Sequence, residues 1–305
     1  IRCLVIEINM EKILVAHNGS FHADDIFACA TILASFPKEN IKIVRTRDEE
    51  IIKNADFVVD VGGIHDESIE RFDHHQKGGA GIRENGIPYA SFGLVWQKYG
   101  EKLCGSREVA DEVDKQLVQA IDAPDNGVEL YKTTREDALP FDFHNLYSLF
   151  LPSWKEVIDV DAEFVKLVSY ARVVLDRIIK KTKDLIEAQE LVRDIYKNTS
   201  DKRIVELPQY LPWKKVLTEY EDSLIVVYPR QDKSWGTEMV PAAFRQFESR
   251  IYFPVEWAGL VNEELEKVTG VEGAMFCHNK RFFCVAKTKD GALALAQLAL
   301  EANKM

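Results

Sequence analysis

The sequence predicts an α/β protein with a parallel-sheet N-terminal domain, a long connecting helix and a smaller α/β C-terminal domain. Short apolar runs alternate with helical segments at the start of the chain, a pattern that predicts parallel strands joined by right-handed crossovers. The stretch from 161 to about 197 is amphipathic and contains neither Gly nor Pro, which predicts one long helix. From 203 the chain returns to strand-like runs.

The N-terminal elements follow in a regular order. EKILVAH (11–17) predicts a buried strand, and 24–36 predicts a helix with acidic residues in its first turn and Pro37 at its end. Strands are predicted at 41–46 and 56–61, with a short helix at 48–55 between them. Further helices are predicted near 91–103 and 106–121. The Gly-rich segment 78–90 is either a mobile loop beside a site or a plain surface loop.

The C-terminal part shows five strand-like runs and a final helix. The runs are RIVEL, SLIVVY, SRIYF, AMFCH and RFFCVA, and the helix is GALALAQLALEANK. The predicted boundaries are 10–155 for the first domain, 156–200 for the connecting helix and 201–305 for the C-terminal domain.

Composition narrows the class of protein. The 305 residues suffice for two domains, and 46% hydrophobic and 29% charged residues are typical of a soluble globular chain. No apolar run reaches the ~18 residues of a membrane span, so no membrane partner is expected. The net charge of −11 argues against an indiscriminate duplex DNA binder, which needs a broad basic surface.

Cysteine usage and the N-terminal segment bear on location. The five cysteines are scattered and form no C-x-x-C pair, which predicts reduced thiols and a cytoplasmic setting. IRCLVIEIN lacks the basic region and cleavage site of a signal peptide, and Met10 is a candidate start. A mitochondrial or nuclear location stays open.

Histidine and aspartate concentrate in four short segments: HNGSFHADD (17–25), FVVDVGG (57–63), FDHHQKG (72–78) and IDAPDNG (121–127). His17, Asp60 and Asp73 each follow a predicted strand, and ligands of parallel sheets gather at such carboxyl ends. Imidazole and carboxylate suit Mn²⁺, Mg²⁺, Zn²⁺ or Fe²⁺. The sequence therefore predicts a metal site at this edge of the sheet.

Two divalent ions ~3.5–4 Å apart are the usual device for phosphoester hydrolysis, and building them takes six or seven ligands. The candidate ligands are His17, His22, Asp24, Asp60, His74, His75 and Asp122. Asp25, Asp73 and Asp125 are available for hydrogen bonds to the histidines. His65 and His144 are interpreted as ordinary loop and surface residues.

These motifs resemble the DHH phosphoesterase superfamily and, within it, the Myg family (melanocyte proliferating gene family). HNGSFHADD, VVDVGG, FDHHQKG and IDAPDNG carry the resemblance, and YPRQDKSW, FPVEWAGL and GAMFCHNKRF in the C-terminal part also fit. The resemblance implies a DHH-type N-terminal domain for catalysis and a C-terminal domain for substrate binding. It also implies a divalent-metal 3′→5′ exonuclease acting on RNA.

The resemblance implies a role for each matching residue. His17 and His22 would bind the first metal, while Asp24, His74 and Asp122 would bind the second. Asp60 would bridge the two, His75 would contact the scissile phosphate, and Asp73 would orient His74. The first motif departs from the superfamily, because His22 stands where an Asp is usual. An imidazole at that position favours Mn²⁺ over Mg²⁺.

The C-terminal part supplies candidate substrate contacts. In GAMFCHNKRFF, His278 and Arg281 resemble the superfamily's substrate-gripping motif, and Arg281 would suit a phosphate. Trp235 and Trp257 would stack on bases, or else belong to the core of a strand-rich domain.

Two enzyme classes and one non-enzyme class follow from this reading. The first is a two-metal exoribonuclease acting on single-stranded RNA or a short oligonucleotide. The alternative is a small-molecule phosphoanhydride or phosphodiester hydrolase, such as a pyrophosphatase or nucleotide phosphatase, which the acidic balance favours. A metal-dependent scaffold protein is the third class. A homodimer is compatible with the sequence.

Overall fold

The computed structural model describes residues 11–135, 137–138 and 140–303. The expectations for Cys3, Met10 and the last residue of the final helix lie outside these residues. The chain divides into two compact units, Ile1–Lys183 and Asp184–Met305, and each contains a five-stranded sheet. Both sheets contain parallel strand pairs, which confirms the predicted α/β class.

The first sheet brings three strand ends to one edge. Its strands are β1 (Lys12–Ala16), β2 (Ile41–Arg45), β3 (Phe57–Val59), β4 (His65–Asp66) and β5 (Arg71–Phe72). The order is β2-β1-β3-β5-β4, and only β4 runs antiparallel to its neighbour. Since β1, β3 and β5 are parallel neighbours, the residues that follow them lie side by side.

Helices cover the first sheet and continue beyond it. They are α1 (Ala23–Ser35), α2 (Glu49–Asn54), α3 (Ser91–Cys104), α4 (Arg107–Val113), α5 (Gln119–Asp125), α6 (Phe143–Ser148) and α7 (Val160–Asn198). A π-helical turn, Asp114–Val118, joins α4 to α5. Helices α1 and α3 pack through the fully buried Phe27 and Phe92, whose ring centroids are 5.3 Å apart. The long helix agrees with the prediction from periodicity.

The second unit has a mixed sheet with a core on each side. Its elements are β6 (Ile204–Glu206), α8 (Lys214–Leu217), β7 (Ile225–Pro229), β8 (Trp235–Met239), α9 (Asn262–Thr269), β9 (Ala274–Cys277), β10 (Phe283–Ala286) and α10 (Lys289–Ala302). The order is β6-β7-β8-β10-β9, with only the β6–β7 pair parallel.

The predicted strand at SRIYF (249–253) is wrong, and β8 occurs where no strand was predicted. The Arg250 guanidinium donates to the carbonyl oxygens of Thr218 and Ser223 at 2.8 Å, which fixes this segment as a loop. Phe253 is fully buried in the core. The apolar residues of this segment therefore reflect core packing in a loop.

Among the described residues, no helix is both long and apolar enough to cross a bilayer.

Candidate metal centre

His17 lies directly after β1, beside two carboxylates. Its Nε2 is 3.2 Å from Asp25 Oδ2 and 3.2 Å from Asp60 Oδ2. Gly19 has φ +93, a conformation that glycine adopts without strain, and the chain turns there towards α1. Asp25 Oδ1 accepts a hydrogen bond from the His22 backbone N–H at 3.0 Å, which fixes the start of α1.

Asp60 occupies the centre of the strand-end edge. Its side chain is 3% exposed, and its φ of +55 lies in the left-handed region, which Asp and Asn enter more readily than other non-Gly residues. Gly62 and Gly63 follow, also with positive φ. Backbone strain of this kind concentrates at functional sites, where surrounding structure maintains it.

His74 extends from the end of β5 towards Asp60. Its Nε2 is 3.4 Å from Asp60 Oδ1 and 3.3 Å from Asp125 Oδ2. On the other side of the ring, Nδ1 is 3.4 Å from Asn126 Oδ1. His74 thus joins the strand-end edge of the sheet to the end of α5.

Asp73 contacts His75, whereas the resemblance implied His74 as its partner. Asp73 Oδ1 is 2.7 Å from His75 Nδ1 and accepts the His75 backbone N–H at 3.1 Å. Asp73 Oδ2 accepts the Gly63 N–H at 2.5 Å. Side chains two residues apart in extended chain share a side, which explains this pairing. The His75 side chain is 62% exposed, so its ring is open to solvent.

Two buried carboxylates cap the N-terminus of α3. Asp24 accepts the backbone N–H groups of Ser91 at 3.1 Å and Phe92 at 2.6 Å. Asp122 accepts that of Gly93 at 3.1 Å. Anionic groups are favoured there because a helix N-terminus carries unsatisfied N–H donors and partial positive charge.

Asp122 is also neutralised by an arginine from the Gly-rich loop. Arg83 Nη2 lies 2.7 Å from Asp122 Oδ2 and 2.8 Å from Asp114 Oδ1. The Arg83 guanidinium also lies 4.1 Å from the Tyr89 ring centroid. Arg83 thus fixes part of the Gly-rich loop next to the site.

Three groups of side chains place ligand atoms within 4.8 Å of one another, close enough to hold a metal ion. The groups are His17, His22 and Asp60; then Asp60, His74 and His75; then Asp24, His74 and Asp125. Asp60 is common to the first two groups and His74 to the last two. The structure therefore brings together every predicted ligand except Asp122, and places Asp125 in the third group.

The difference between Asp122 and Asp125 has a physical reason. Three residues along a helix correspond to a rotation of about 300°, so the two carboxylates leave α5 in different directions. Asp122 is fully buried against Arg83 and the start of α3. Asp125 is partly exposed and faces His74.

The histidines of the site have strongly shifted pKa values. Burial alone would lower the pKa of His17, but Asp25 and Asp60 outweigh that effect and raise it to about 10. Burial would also lower the pKa of His74, but Asp125 and Asp60 raise it to about 11. Without another cation, both rings are imidazolium ions at neutral pH.

The carboxylates divide into two classes. Burial raises the pKa of Asp24, with further repulsion from Asp125 and Asp60. Burial likewise raises the pKa of Asp25. Burial would also raise the pKa of Asp60, but hydrogen bonds from His17 and His74 prevail and lower it. Burial raises the pKa of Asp122 to about 7, although Arg83 opposes the shift.

The side chains present fit divalent metal ions. Imidazole nitrogens and carboxylate oxygens form the donor set that Mn²⁺ and related ions accept. His74 Nε2 and Asp25 Oδ2 are buried and make no hydrogen bond of normal geometry, although they face oppositely charged groups. A buried polar atom without a partner is costly. Bound cations would satisfy His74 and offset the surrounding negative charge.

The predicted substrate contacts of the second unit use their polar groups locally. His278 Nδ1 accepts the Lys280 N–H at 3.0 Å, and Arg281 Nη1 donates to Phe253 O at 3.1 Å. Trp257 is 5% exposed and stacks on Phe253 with a centroid distance of 5.6 Å. Trp235 is partly buried against the same core. Both tryptophans thus contribute to packing.

The sequence did not indicate some residues around the site. Arg83 and Asn126 contact Asp122 and His74, yet each belongs to a segment that resembles a surface loop. The His144 ring lies 6.3 Å from that of His22, at 23° from parallel. The only local signal near it is the capping pattern of Asp142 and Asn145, which indicates a helix start and no chemistry.

Comparison with known proteins identifies relatives along almost the whole chain. The family model of the MYG1 exonucleases, described as "Uncharacterised protein family (UPF0160)", matches residues 13–300. MYG1 exonuclease of Rattus norvegicus is 31% identical over 317 residues, which cover 93% of this chain and 83% of the relative. MYG1 exonuclease of Homo sapiens is 30% identical, covering 93% and 84%. MYG1 protein of Chlamydia muridarum is 30% identical, covering 93% and 95%.

Proposed function

The chain belongs to the MYG1 exonuclease family, and from that premise we propose that it is a metal-dependent phosphodiester hydrolase removing nucleotides from the 3′ end of single-stranded RNA. The observation that carries the proposal is the linked set of ligand groups around Asp60 and His74. The names of the mammalian relatives support exonuclease activity. The motif resemblance supports a DHH-type domain, RNA as substrate and 3′→5′ polarity.

We assign two ions to these groups. His17, His22 and Asp60 would hold one ion, and Asp24, His74 and Asp125 the other, with Asp60 shared. The distances favour Asp125 over Asp122 as the ligand from α5. The imidazole of His22 favours Mn²⁺ over Mg²⁺. Bound here, two divalent ions would lower the pKa of water and offset the charge of the phosphoryl oxygens.

The remaining residues would position the substrate and the ligands. Asp73 accepts a hydrogen bond from His75 and leaves the exposed edge of that ring to contact the scissile phosphate. Asn126 fixes the orientation of His74 through Nδ1. Arg83 neutralises Asp122, so that Asp122 caps α3 without adding repulsion to the ligand groups.

The test is a time course on a 5′-labelled single-stranded RNA of about twenty nucleotides, with Mn²⁺, Mg²⁺ or a chelator. A ladder that shortens from the 3′ end only with metal supports the proposal. The acidic balance of the chain, with its net charge of −11, keeps a small-molecule phosphoanhydride hydrolase as second candidate. Intact RNA beside phosphate released from pyrophosphate would favour that candidate.

A further inference from the structure

A cavity of about 340 Å³ lies beside the candidate metal centre. Three of its lining residues, His22, Asp24 and Asp125, belong to the ligand groups. A phosphate held by those groups would place its organic substituent in the adjoining space. The volume falls in the range of ~300–1,000 Å³ that is typical of small-molecule sites.

The cavity has an apolar wall. Ile121, Pro124 and Phe143 line it. The Phe143 ring is held against Phe27 and Tyr147, at centroid distances of 5.7 and 6.0 Å. Because Phe27 and Tyr147 are buried, this wall is supported by the core and has a defined shape.

The charges of the cavity favour an uncharged substituent over a second phosphate. No Lys or Arg occurs among its described lining residues, while Asp24, Asp125 and Asp142 all line it. A pyrophosphate would meet carboxylates in this space without a basic side chain to offset them. A planar, uncharged group would instead cover apolar surface and could stack on an aromatic ring.

His144 completes the cavity at its exposed rim. Its ring is close to that of His22 and nearly parallel to it. Asp142 accepts the Asn145 N–H at 3.0 Å, so the turn that carries His144 is fixed. His144 is exposed and has no part in the core, which leaves its ring available to a ligand.

We propose that this cavity binds the nucleoside next to the reacting phosphate, with the base packed between Phe143 and His144. The proposal rests on the function proposed above and specifies its substrate class. It assigns nucleobase contact to His144 and Phe143, and it disfavours pyrophosphate as the substrate.

The experiment compares the binding of adenosine 5′-monophosphate and ribose 5-phosphate to the Mn²⁺-loaded protein by isothermal titration calorimetry. The two probes share a phosphate and differ by the base. The variants are Ala120→Trp, which fills the cavity from its exposed rim, and His144→Ala, which removes the ring. Leu146→Ala is the matched control, because Leu146 is exposed on the same helix outside the cavity lining.

We expect the wild-type protein to bind the nucleotide about tenfold more tightly than ribose 5-phosphate. Ala120→Trp and His144→Ala should bring that ratio towards one and leave the affinity for ribose 5-phosphate unchanged. Leu146→Ala should keep the wild-type ratio. A wild-type ratio near one, a ratio unchanged in both cavity variants, or no binding of either probe would overturn the proposal.

RNA hydrolysis in the same samples separates this proposal from the proposed function. RNA shortening together with a binding ratio near one would retain the nuclease and reject the nucleoside cavity. A tenfold preference without RNA shortening would retain the cavity and reject the exonuclease.

Discussion

The strand-end edge of the first sheet and the loop between β9 and β10 contain similar residues in different states. At the sheet edge, buried polar atoms such as His74 Nε2 make no hydrogen bond, and neighbouring carboxylates repel one another. In the loop, His278 and Arg281 are hydrogen-bonded to nearby backbone groups. Residue type alone does not distinguish the two regions. Unused bonding capacity does, and it marks the sheet edge as the place for a ligand.

The largest effect is expected from Asp60→Asn. Asn also tolerates the left-handed backbone at this position, so the change removes charge with little strain. We expect turnover on labelled RNA to fall by roughly a thousandfold or more, because the shared carboxylate is lost. The matched control is Asp111→Asn, which removes an exposed carboxylate paired only with Arg107 on the surface. Equal activity in the two variants would contradict the assignment of Asp60.

Arg83→Met should produce the largest loss of stability. Asp122 would remain fully buried without its counter-charge, which costs about 3–5 kcal/mol of unfolding free energy. Arg281→Met in the second region removes one hydrogen bond to a backbone carbonyl and should cost about 1 kcal/mol. Urea denaturation of both variants, with metal chelated, measures the difference. Similar losses would show that Arg83 is not the counter-charge that stabilises Asp122.

Metal binding should release protons from the sheet edge. The pKa values of His17 and His74, about 10 and 11, keep both rings protonated at pH 8 in the metal-free protein. Only the neutral imidazole binds a metal, so we expect release of about two protons and tighter binding as pH rises towards 10. Calorimetry in two buffers of different ionisation enthalpy gives the number. Binding without proton release would exclude these two histidines as ligands.

The smallest effect is expected in the loop of the second unit. His278→Ala removes a ring whose Nδ1 already accepts the Lys280 N–H. We expect kcat/KM on RNA to change by less than about threefold, since only a local turn contact is lost. A loss of tenfold or more, with the fold intact by circular dichroism, would restore His278 as a substrate contact.

Local sequence signals were sufficient for the elements that position the site. Apolar runs and their spacing placed β1, β3 and β5, and parallel pairing then brought His17, Asp60 and Asp73 to one edge. The sequence could not distinguish Asp122 from Asp125, because the choice depends on an arginine 39 residues earlier in the chain (122 − 83). Nor could it show that Trp257 is buried, since an aromatic residue suits a core and a binding surface equally.

The cap that Asp24 forms on α3 turns two amide protons into internal reporters. The N–H groups of Ser91 and Phe92 are bonded to the carboxylate that also belongs to the third ligand group. A cation that withdraws electron density from this carboxylate must weaken both hydrogen bonds. Loading of the centre would therefore appear in the amide resonances and hydrogen-exchange rates of Ser91 and Phe92, with no substrate or label required.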